Sequence, residues 1–214
     1  MLVVRTAVVG PFAENSFLAG CDETGEALFI DPGGDLPRLL ALREPGGFSV
    51  KRIFLTHGHI DHVAGAAAAA DATSAPVEIH PDDLPWFAQL EDQAEMFGFD
   101  GVRAPAIARP LAHGDVLHVG RQAARVLHTP GHTRGGCSLF FEQARVLFTG
   151  DALFVGSVGR TDLPGGDFRV LARSLRERLF PLGDDVRFYP GHGPPGVLGD
   201  ERRNNPFVGQ GVQL

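Results

Sequence analysis

The segment 56–62 carries a dense group of side chains able to bind a metal ion. It directly follows the apolar run 51–55 and directly precedes an alanine-rich stretch. Its three histidines and one aspartate are His57, His59, Asp61 and His62. Imidazole nitrogens and carboxylate oxygens bind zinc, iron and manganese in proteins. Because a strand before the loop and a helix after it would hold it rigidly, the pattern predicts a metal site rather than a merely structural histidine-rich turn.

Three further candidate ligands lie farther along the chain, each beside an apolar run or in a Pro-Gly turn. They are His132, Asp151 and His192. Singly each is a weak signal, because a lone histidine in a turn is usually structural. Together with the segment 56–62 they supply five histidines and two aspartates, which suits two adjacent divalent cations. The set contains no thiolate that would require zinc, so iron and manganese also fit.

The apolar runs between turn residues predict the strands that must position these side chains. They are 2–9, 16–20, 27–31, 51–55, 77–79, 115–119, 124–128, 137–141, 145–149 and 186–189. Helical patterns cover 35–44, 63–72, 82–97 and 168–180. This order predicts two β-sheets packed face to face with helices outside, rather than one doubly wound sheet. Residues 1–214 contain no spacer-length linker, so we expect a single domain.

Composition narrows the class of partner. The chain has 214 residues, 43% hydrophobic and 21% charged, with a formal net charge of −7 and scattered basic residues. Nucleic acid is therefore a poor candidate partner. No apolar stretch approaches the ~20 residues that span a bilayer, so we expect no membrane partner. The only cysteines, Cys21 and Cys137, fit a reducing compartment, which predicts a cytoplasmic protein. The oligomeric state stays open.

These motifs resemble the metallo-β-lactamase-fold hydrolases. Within that superfamily the chain resembles the glyoxalase II (hydroxyacylglutathione hydrolase) group, especially the short bacterial forms without the helical C-terminal domain. The resemblance covers 31–34, 56–62, 129–133, 149–151, 156–162, 190–193 and 201–207. It implies an α/β (α+β) fold: an αββα sandwich of two mixed β-sheets flanked by helices, with the metals at one edge of both sheets.

The resemblance also implies roles for the candidate ligands. His57, His59 and His132 would bind the first metal. Asp61, His62 and His192 would bind the second, and Asp151 would bridge the two. The implied cofactors are two divalent metal ions, zinc being preferred and iron or manganese being alternatives. Some true β-lactamases have a bridging cysteine where this chain has an aspartate, so antibiotic hydrolysis is disfavoured.

Arg160 resembles the basic residue that contacts a substrate carboxylate in glyoxalase II. A guanidinium binds a carboxylate well through two parallel hydrogen bonds. The alternative is a structural arginine paired with Asp162 or Asp167.

The resemblance implies hydrolysis of a small-molecule thioester, most simply S-D-lactoylglutathione or a related 2-hydroxyacyl thioester. A hydroxide held between two cations would attack the thioester carbonyl, and Asp61 would orient that hydroxide. The departing thiolate has a free pKa of about 8.5, so it needs no strong general acid. The main alternative is a mononuclear iron persulfide dioxygenase of the same superfamily, which also has a Gly-Arg-Thr-Asp element like 159–162. A lactone or ester hydrolase of the same fold comes next. A metal-binding protein without catalysis would need a damaged ligand set.

Four further expectations concern the surroundings of the site. Asp31 either supports the 56–62 loop by hydrogen bonds or is a plain turn residue. His128 is structural or supports the ligands, without being a ligand itself. Segment 82–99 forms either an apolar wall over the site or a packed amphipathic helix. The tail 201–207 folds back near the site.

Overall fold

The first of two six-stranded sheets contains the amino-terminal half of the chain in the computed structural model, which describes residues 1–213. Its spatial order is β1 (Leu2–Val9), β2 (Glu14–Cys21), β3 (Glu26–Ile30), β4 (Ser49–Phe54), β5 (Val77–Ile79) and β6 (Ile107–Pro110). The first three strands are antiparallel neighbours, and the pairings from β3 to β6 are parallel. The sheet is therefore mixed.

The second six-stranded sheet is also mixed. It consists of β7 (Val116–Val119), β8 (Gln122–His128), β9 (Cys137–Phe141), β10 (Val146–Gly150), β13 (Arg187–Pro190) and β14 (Gly196–Val197). These strands are adjacent in the order β14-β13-β10-β9-β8-β7. Only β10 and β13 pair in parallel. The strands β11 (Leu153–Phe154) and β12 (Ser157–Val158) form a separate short hairpin directly after β10.

Helices cover the outer face of each sheet. The first sheet is covered by α1 (Leu36–Ala41), α2 (Ile60–Val63), α3 (Ala66–Thr73) and α4 (Leu90–Phe97), with the 3₁₀ helix Pro81–Gln89 leading into α4. The second is covered by α5 (Phe168–Ser174), its π-helical continuation Leu175–Leu179, the short 3₁₀ helix Phe180–Leu182 and α6 (Leu198–Asn204). Within residues 1–213, every helix is too short or too polar to cross a membrane.

Strands of the first sheet are apolar on both faces, because one face packs on helices and the other packs on the second sheet. Leu18 and Phe29 point to the helix side of the first sheet, whereas Phe17 and Leu28 point to the second sheet. Successive side chains of a strand point to opposite faces, so a strand buried on both faces is apolar throughout. The predicted αββα sandwich of two mixed sheets is confirmed.

The structure corrects several predicted element boundaries. The helix predicted over 63–72 is interrupted at Gly65, whose N–H donates to the Pro32 carbonyl at 2.9 Å. The helix predicted over 82–97 begins as a 3₁₀ helix that contains Pro85. The α-helical part of 168–180 ends at Ser174. The strands β6, β11, β12 and β14 have two to four residues each, which is too short for a hydrophobic period to be recognised.

Candidate metal centre

The seven predicted ligands lie together where strands of both sheets end. The 56–62 loop follows β4, Asp151 follows β10 directly, and His192 stands two residues after β13. His132 lies in the loop after β8. The carboxyl ends of parallel strands meet at one edge of a sheet, which is the usual place for a site in such folds. The two edges are joined because Cys137 N–H donates to the Thr56 carbonyl at 2.8 Å.

The first group of donor atoms consists of three imidazoles, from His57, His59 and His132, and is called the inner triad below. His59 Nδ1 lies 3.1 Å from His57 Nε2 and 2.9 Å from His132 Nε2. All three residues are buried, with exposures of 1%, 8% and 4%. Ligands about 2.0–2.1 Å from a tetrahedral zinc ion stand about 3.3 Å apart. The spacing of the inner triad therefore fits a small divalent cation.

The second group, called the outer triad below, consists of Asp61, His62 and His192. Asp61 Oδ2 lies 3.1 Å from His192 Nε2 and 3.7 Å from His62 Nε2. The His62 side chain is wholly buried, whereas the Asp61 and His192 side chains are 15% and 28% exposed. The outer triad therefore has one carboxylate and two imidazoles where the inner triad has three imidazoles, and two of its side chains are partly exposed.

Asp151 stands between the two triads. Its Oδ2 lies 3.7 Å from His132 Nε2 and 3.6 Å from His192 Nε2, and its Oδ1 lies 3.3 Å from His62 Nε2. One carboxylate thus faces donors of both groups. A Cβ on Gly191 would lie 2.2 Å from Asp151 Oδ1. Only glycine at position 191 therefore lets the backbone approach the Asp151 carboxylate this closely.

Asp31 supports the 56–62 loop, as one of the two sequence-based readings predicted. Its carboxylate accepts hydrogen bonds from Thr56 N–H at 2.6 Å and from the Thr56 hydroxyl at 2.6 Å. It also accepts from His62 Nδ1–H at 2.9 Å. Because the Thr56 hydroxyl hydrogen is directed to Asp31, its oxygen accepts from His57 Nδ1–H at 3.0 Å. The lone pairs of His57 Nε2 and His62 Nε2 are therefore left for the centre.

His132 is oriented in the same way by the backbone of the next loop. Its Nδ1–H donates to the Arg160 carbonyl at 2.7 Å, which leaves its Nε2 lone pair directed at the inner triad. The Arg160 guanidinium points elsewhere: it is 61% exposed and binds Asp162 through two hydrogen bonds of 2.8 and 2.7 Å. The structure thus shows the pairing of Arg160 with Asp162 that the sequence left open as an alternative. It is the backbone carbonyl of Arg160, not its guanidinium, that contacts a predicted ligand.

Asp83 ties together two loops of the inner triad. Its wholly buried carboxylate accepts from Gly58 N–H at 3.0 Å, the Thr133 hydroxyl at 2.7 Å and Gly135 N–H at 2.6 Å. Sequence reasoning missed this role, because Asp83 lies 25 residues beyond Gly58 and 50 before Thr133. Nothing local distinguishes it from the exposed Asp82 beside it.

Asn15 performs a similar task for the His192 turn. Its side-chain amide donates to the carbonyls of Pro190 and Gly193 at 3.0 and 2.9 Å, and its N–H donates to the Gly191 carbonyl at 2.7 Å. The separation of 175 positions from Pro190 hides this contact from sequence reasoning. The one available signal is a fully buried polar run, Glu14 to Ser16, at the start of a strand.

Three of the ligands have protonation states that suit cation binding. Burial and the neighbouring imidazoles hold the pKa of His57 well below its ordinary value and lower the pKa of His59 to about 3. Burial raises the pKa of Asp151, but His62 and His132 outweigh it and hold that pKa below its ordinary value. The first two residues are therefore neutral imidazoles and the third an ionised carboxylate at neutral pH, which are the forms that bind metal.

His62 differs from these three ligands. Although burial lowers its pKa, Asp151, Asp61 and Asp31 hold that pKa well above its ordinary value. His62 must therefore lose a proton when a cation binds.

The structure also shows where His128, segment 82–99 and the tail 201–207 lie relative to the site. His128 Nε2–H donates to the Arg134 carbonyl at 2.8 Å, so His128 is structural as predicted. In segment 82–99 the helix packs through Leu90 and Ala94, while the Trp86 ring stands edge-on to His59 with centroids 4.6 Å apart. Both readings of that segment are therefore partly right. The tail contacts the loop after Asp151: its Glu201 carboxylate accepts from Gly156 N–H at 2.9 Å.

The chain matches a protein family over most of its length. Residues 9–192 match the family described as the Metallo-beta-lactamase superfamily, and this span contains all seven candidate ligands. The chain is 38% identical over 204 residues to a Haemophilus influenzae protein named hydroxyacylglutathione hydrolase GloC. The match covers 94% of this chain and 95% of that protein.

Solved structures agree with the family match. The BLEG-1 B3 metallo-beta-lactamase superposes with a TM-score of 0.88 at 33% identity, covering 96% of this chain and 99% of that one. TTHA1623 in a di-iron-bound form superposes with a TM-score of 0.85 at 40% identity, covering 95% of this chain and 100% of that one. The fold is thus shared with solved proteins of different names.

Proposed function

The chain belongs to the metallo-beta-lactamase superfamily, and from that premise we propose that it is a binuclear metal-dependent hydrolase of thioesters. The family match and the likeness to a named hydrolase support a metal-dependent hydrolase. The likeness to GloC supports the finer proposal, a small-molecule substrate such as S-D-lactoylglutathione or a related 2-hydroxyacyl thioester. The observation that carries the binuclear reading is the position of Asp151 between the two triads.

In this proposal the inner triad would hold one divalent cation, the outer triad would hold a second, and Asp151 would be a ligand shared by both. The residues fit such ions on two counts. The hydrogen-bond partners of His57, His62 and His132 leave inward lone pairs. In addition, His62 Nε2 and Asp151 Oδ1 are buried without a hydrogen-bond partner, and unpaired buried polar atoms are costly.

The donor set also bears on which metal binds. Burial raises the pKa of the Cys137 thiol far above its ordinary value, so it stays a thiol and supplies no thiolate. Imidazole and carboxylate donors suit zinc, iron and manganese alike. We propose zinc as the resident metal. The di-iron form of TTHA1623 supports iron as the alternative.

When bound there, two divalent cations lower the pKa of a water to about 7 and polarise a carbonyl oxygen. The protein positions the reactants around them. Although burial raises the pKa of Asp61, His62 and His192 outweigh it and keep this partly exposed carboxylate ionised. It therefore orients the attacking water by accepting its hydrogen bond. The Trp86 ring shields the His59 edge of the centre from solvent.

The experiment is turnover of S-D-lactoylglutathione and elemental analysis on one preparation of purified protein. The proposal predicts hydrolysis and about two divalent metal ions per chain. One iron per chain with oxygen uptake on glutathione persulfide, and no hydrolysis, would establish the dioxygenase instead. Cleavage of a lactone or a β-lactam without thioester cleavage would retain the superfamily's hydrolytic chemistry and overturn the thioester substrate.

A further inference from the structure

Arg134 is an exposed cation in an otherwise buried segment next to the metal centre. Of residues 131–141 it is the only one whose side chain is exposed. Within residues 1–213 its guanidinium makes no ion pair and no hydrogen bond, unlike that of Arg160, which Asp162 neutralises. It stands two residues after His132, so its backbone belongs to the loop that carries an inner-triad ligand.

The backbone around Arg134 is fixed while its side chain is left free. His128 Nε2–H donates to the Arg134 carbonyl at 2.8 Å. The residues on either side, Thr133 and Gly135, both donate to the buried Asp83 carboxylate. A charge held on a rigid backbone loses less entropy when it binds a ligand than a charge on a mobile loop.

Arg134 lines a cleft of about 240 Å³ together with Trp86, Asp82 and Gly165. Trp86 contacts His59 of the inner triad, so the cleft adjoins the metal centre. Gly165 has φ +89°, and a Cβ there would lie 3.3 Å from Arg134 Cγ, so glycine leaves room for the arginine stem. The cleft is slightly smaller than pockets for whole drug-sized ligands, which suits one part of a substrate.

The cleft also carries an opposite charge. The Asp82 side chain is 57% exposed, and its carboxylate does not pair with Arg134. Its one ionisable partner within 4 Å among residues 1–213 is His80, at 3.8 Å. Burial and His128 lower the pKa of His80, so that imidazole is neutral at pH 7 and does not cancel the carboxylate. The cleft is therefore lined by the cation Arg134, the anion Asp82 and the Trp86 ring.

We propose that this cleft binds the glutathione part of the proposed thioester substrate, and that Arg134 and Asp82 are the residues that recognise it. Arg134 binds one of its carboxylates, Asp82 binds its ammonium group, and the chain between them packs on Trp86. This inference rests on the proposed function, because it assumes that the substrate is a thioester. The charges of Arg134 and Asp82 support the choice of ligand. The inference moves the recognition of the substrate carboxylate from Arg160, the sequence-based candidate, to Arg134.

Binding is measurable without turnover because Trp86 is the only tryptophan of the chain. We would titrate S-methylglutathione, a thioether that cannot be hydrolysed, and follow Trp86 fluorescence. The wild type should give a saturable change, and Arg134→Gln should raise Kd by about 10-fold or more, the loss expected for a charge-assisted pair. Arg173→Gln, at an exposed arginine of α5 that does not line the cleft, is the matched control and should leave Kd unchanged. Asp82→Asn should weaken S-methylglutathione but not its N-acetylated form.

Kinetics give an independent readout. Arg134→Gln should raise KM for S-D-lactoylglutathione without changing kcat, and should leave the neutral S-lactoyl-N-acetylcysteamine unaffected. Arg134→Lys should restore part of the binding, and circular dichroism checks that each variant is folded. Equal Kd values for wild type and Arg134→Gln, or no saturable change in the wild type, would overturn the proposal.

The two proposals can fail separately. Saturable binding that depends on Arg134, in a protein that hydrolyses no thioester, would sink the proposed function and leave the cleft assignment standing. Thioester hydrolysis whose KM is unchanged in Arg134→Gln would support the proposed function and overturn the cleft assignment.

Discussion

The inner triad of three imidazoles and the outer triad of one carboxylate and two imidazoles lie side by side where strands of both sheets end, yet they differ in how they are enclosed. All three inner imidazoles are at most 8% exposed, and Asp83 and the Arg160 carbonyl hold their loops from behind. In the outer triad only His62 is wholly buried, and His192 is 28% exposed. The comparison indicates a preformed inner site and an outer site open to exchange.

This difference has a consequence for affinity. A rigid set of donors loses little freedom when it binds a cation, whereas a more exposed set must be ordered at that moment. The exposed turn that carries His192 is fastened chiefly by Asn15 and by Gly191 N–H, which donates to the Gly150 carbonyl at 2.9 Å. We therefore expect the inner site to bind its cation more tightly than the outer site.

The largest effect should come from Asp151→Ala, which removes the carboxylate that faces donors of both triads. Loss of activity should exceed the roughly 10–100-fold that removal of a hydrogen-bond partner of a ligand costs. Metal content should fall as well. Asp92→Ala, an exposed acid of α4, is the control and should match the wild type. Near-normal turnover with normal metal content in Asp151→Ala would break the binuclear account.

His192→Ala tests the outer triad alone. Because this residue is the most exposed of the seven, its loss should leave the fold intact and lower the metal content to about one ion per chain, with most activity lost. His57→Ala, in the buried inner triad, should reduce occupancy of both sites. Identical metal loss in the two variants, measured by elemental analysis after dialysis, would erase the distinction between the triads.

Asp83→Asn tests the support behind the inner triad. The carboxylate accepts three hydrogen bonds through two oxygens, whereas an amide has only one acceptor oxygen and turns an N–H₂ toward a donor. Affinity for the inner cation should fall about 10–100-fold, measured by competition with a chromogenic chelator. Asp92→Asn serves as the control. Unchanged inner affinity would show that the inner triad does not depend on this support.

The sequence predicts the site residues that local patterns mark, and it misses those whose role depends on long-range contacts. The segment 57–62 is recognisable because its donors are adjacent in the chain. His132, Asp151 and His192 could be added because each follows a strand or turn that reads clearly. Asp83 and Asn15 could not, since their partners are 25 to 178 positions away and their residue types are common in loops.

The substrate side was harder to predict for a different reason. Arg160 and Arg134 are both arginines near a ligand in sequence, and only the structure shows that Asp162 pairs with the first and leaves the second free. Side-chain pairing of this kind depends on how a loop folds back on itself, which no motif records. The outcome for Arg160 as a substrate-binding residue stays a prediction to be tested.

The smallest effect should come from Arg160→Gln. Its guanidinium is exposed and paired with Asp162, and only its backbone carbonyl touches His132. We expect kcat and KM for S-D-lactoylglutathione to stay within about twofold of the wild type, since exposed ion pairs contribute little. A rise in KM confined to carboxylate-bearing thioesters would restore the sequence-based assignment of this residue.

The most direct test of the two-site centre is a calorimetric titration of metal-free protein with zinc, with thioester turnover assayed at each point. We predict two binding events per chain of unequal affinity, with turnover of S-D-lactoylglutathione rising as the weaker, outer site fills. A single event that saturates both binding and turnover at one ion per chain would contradict the account.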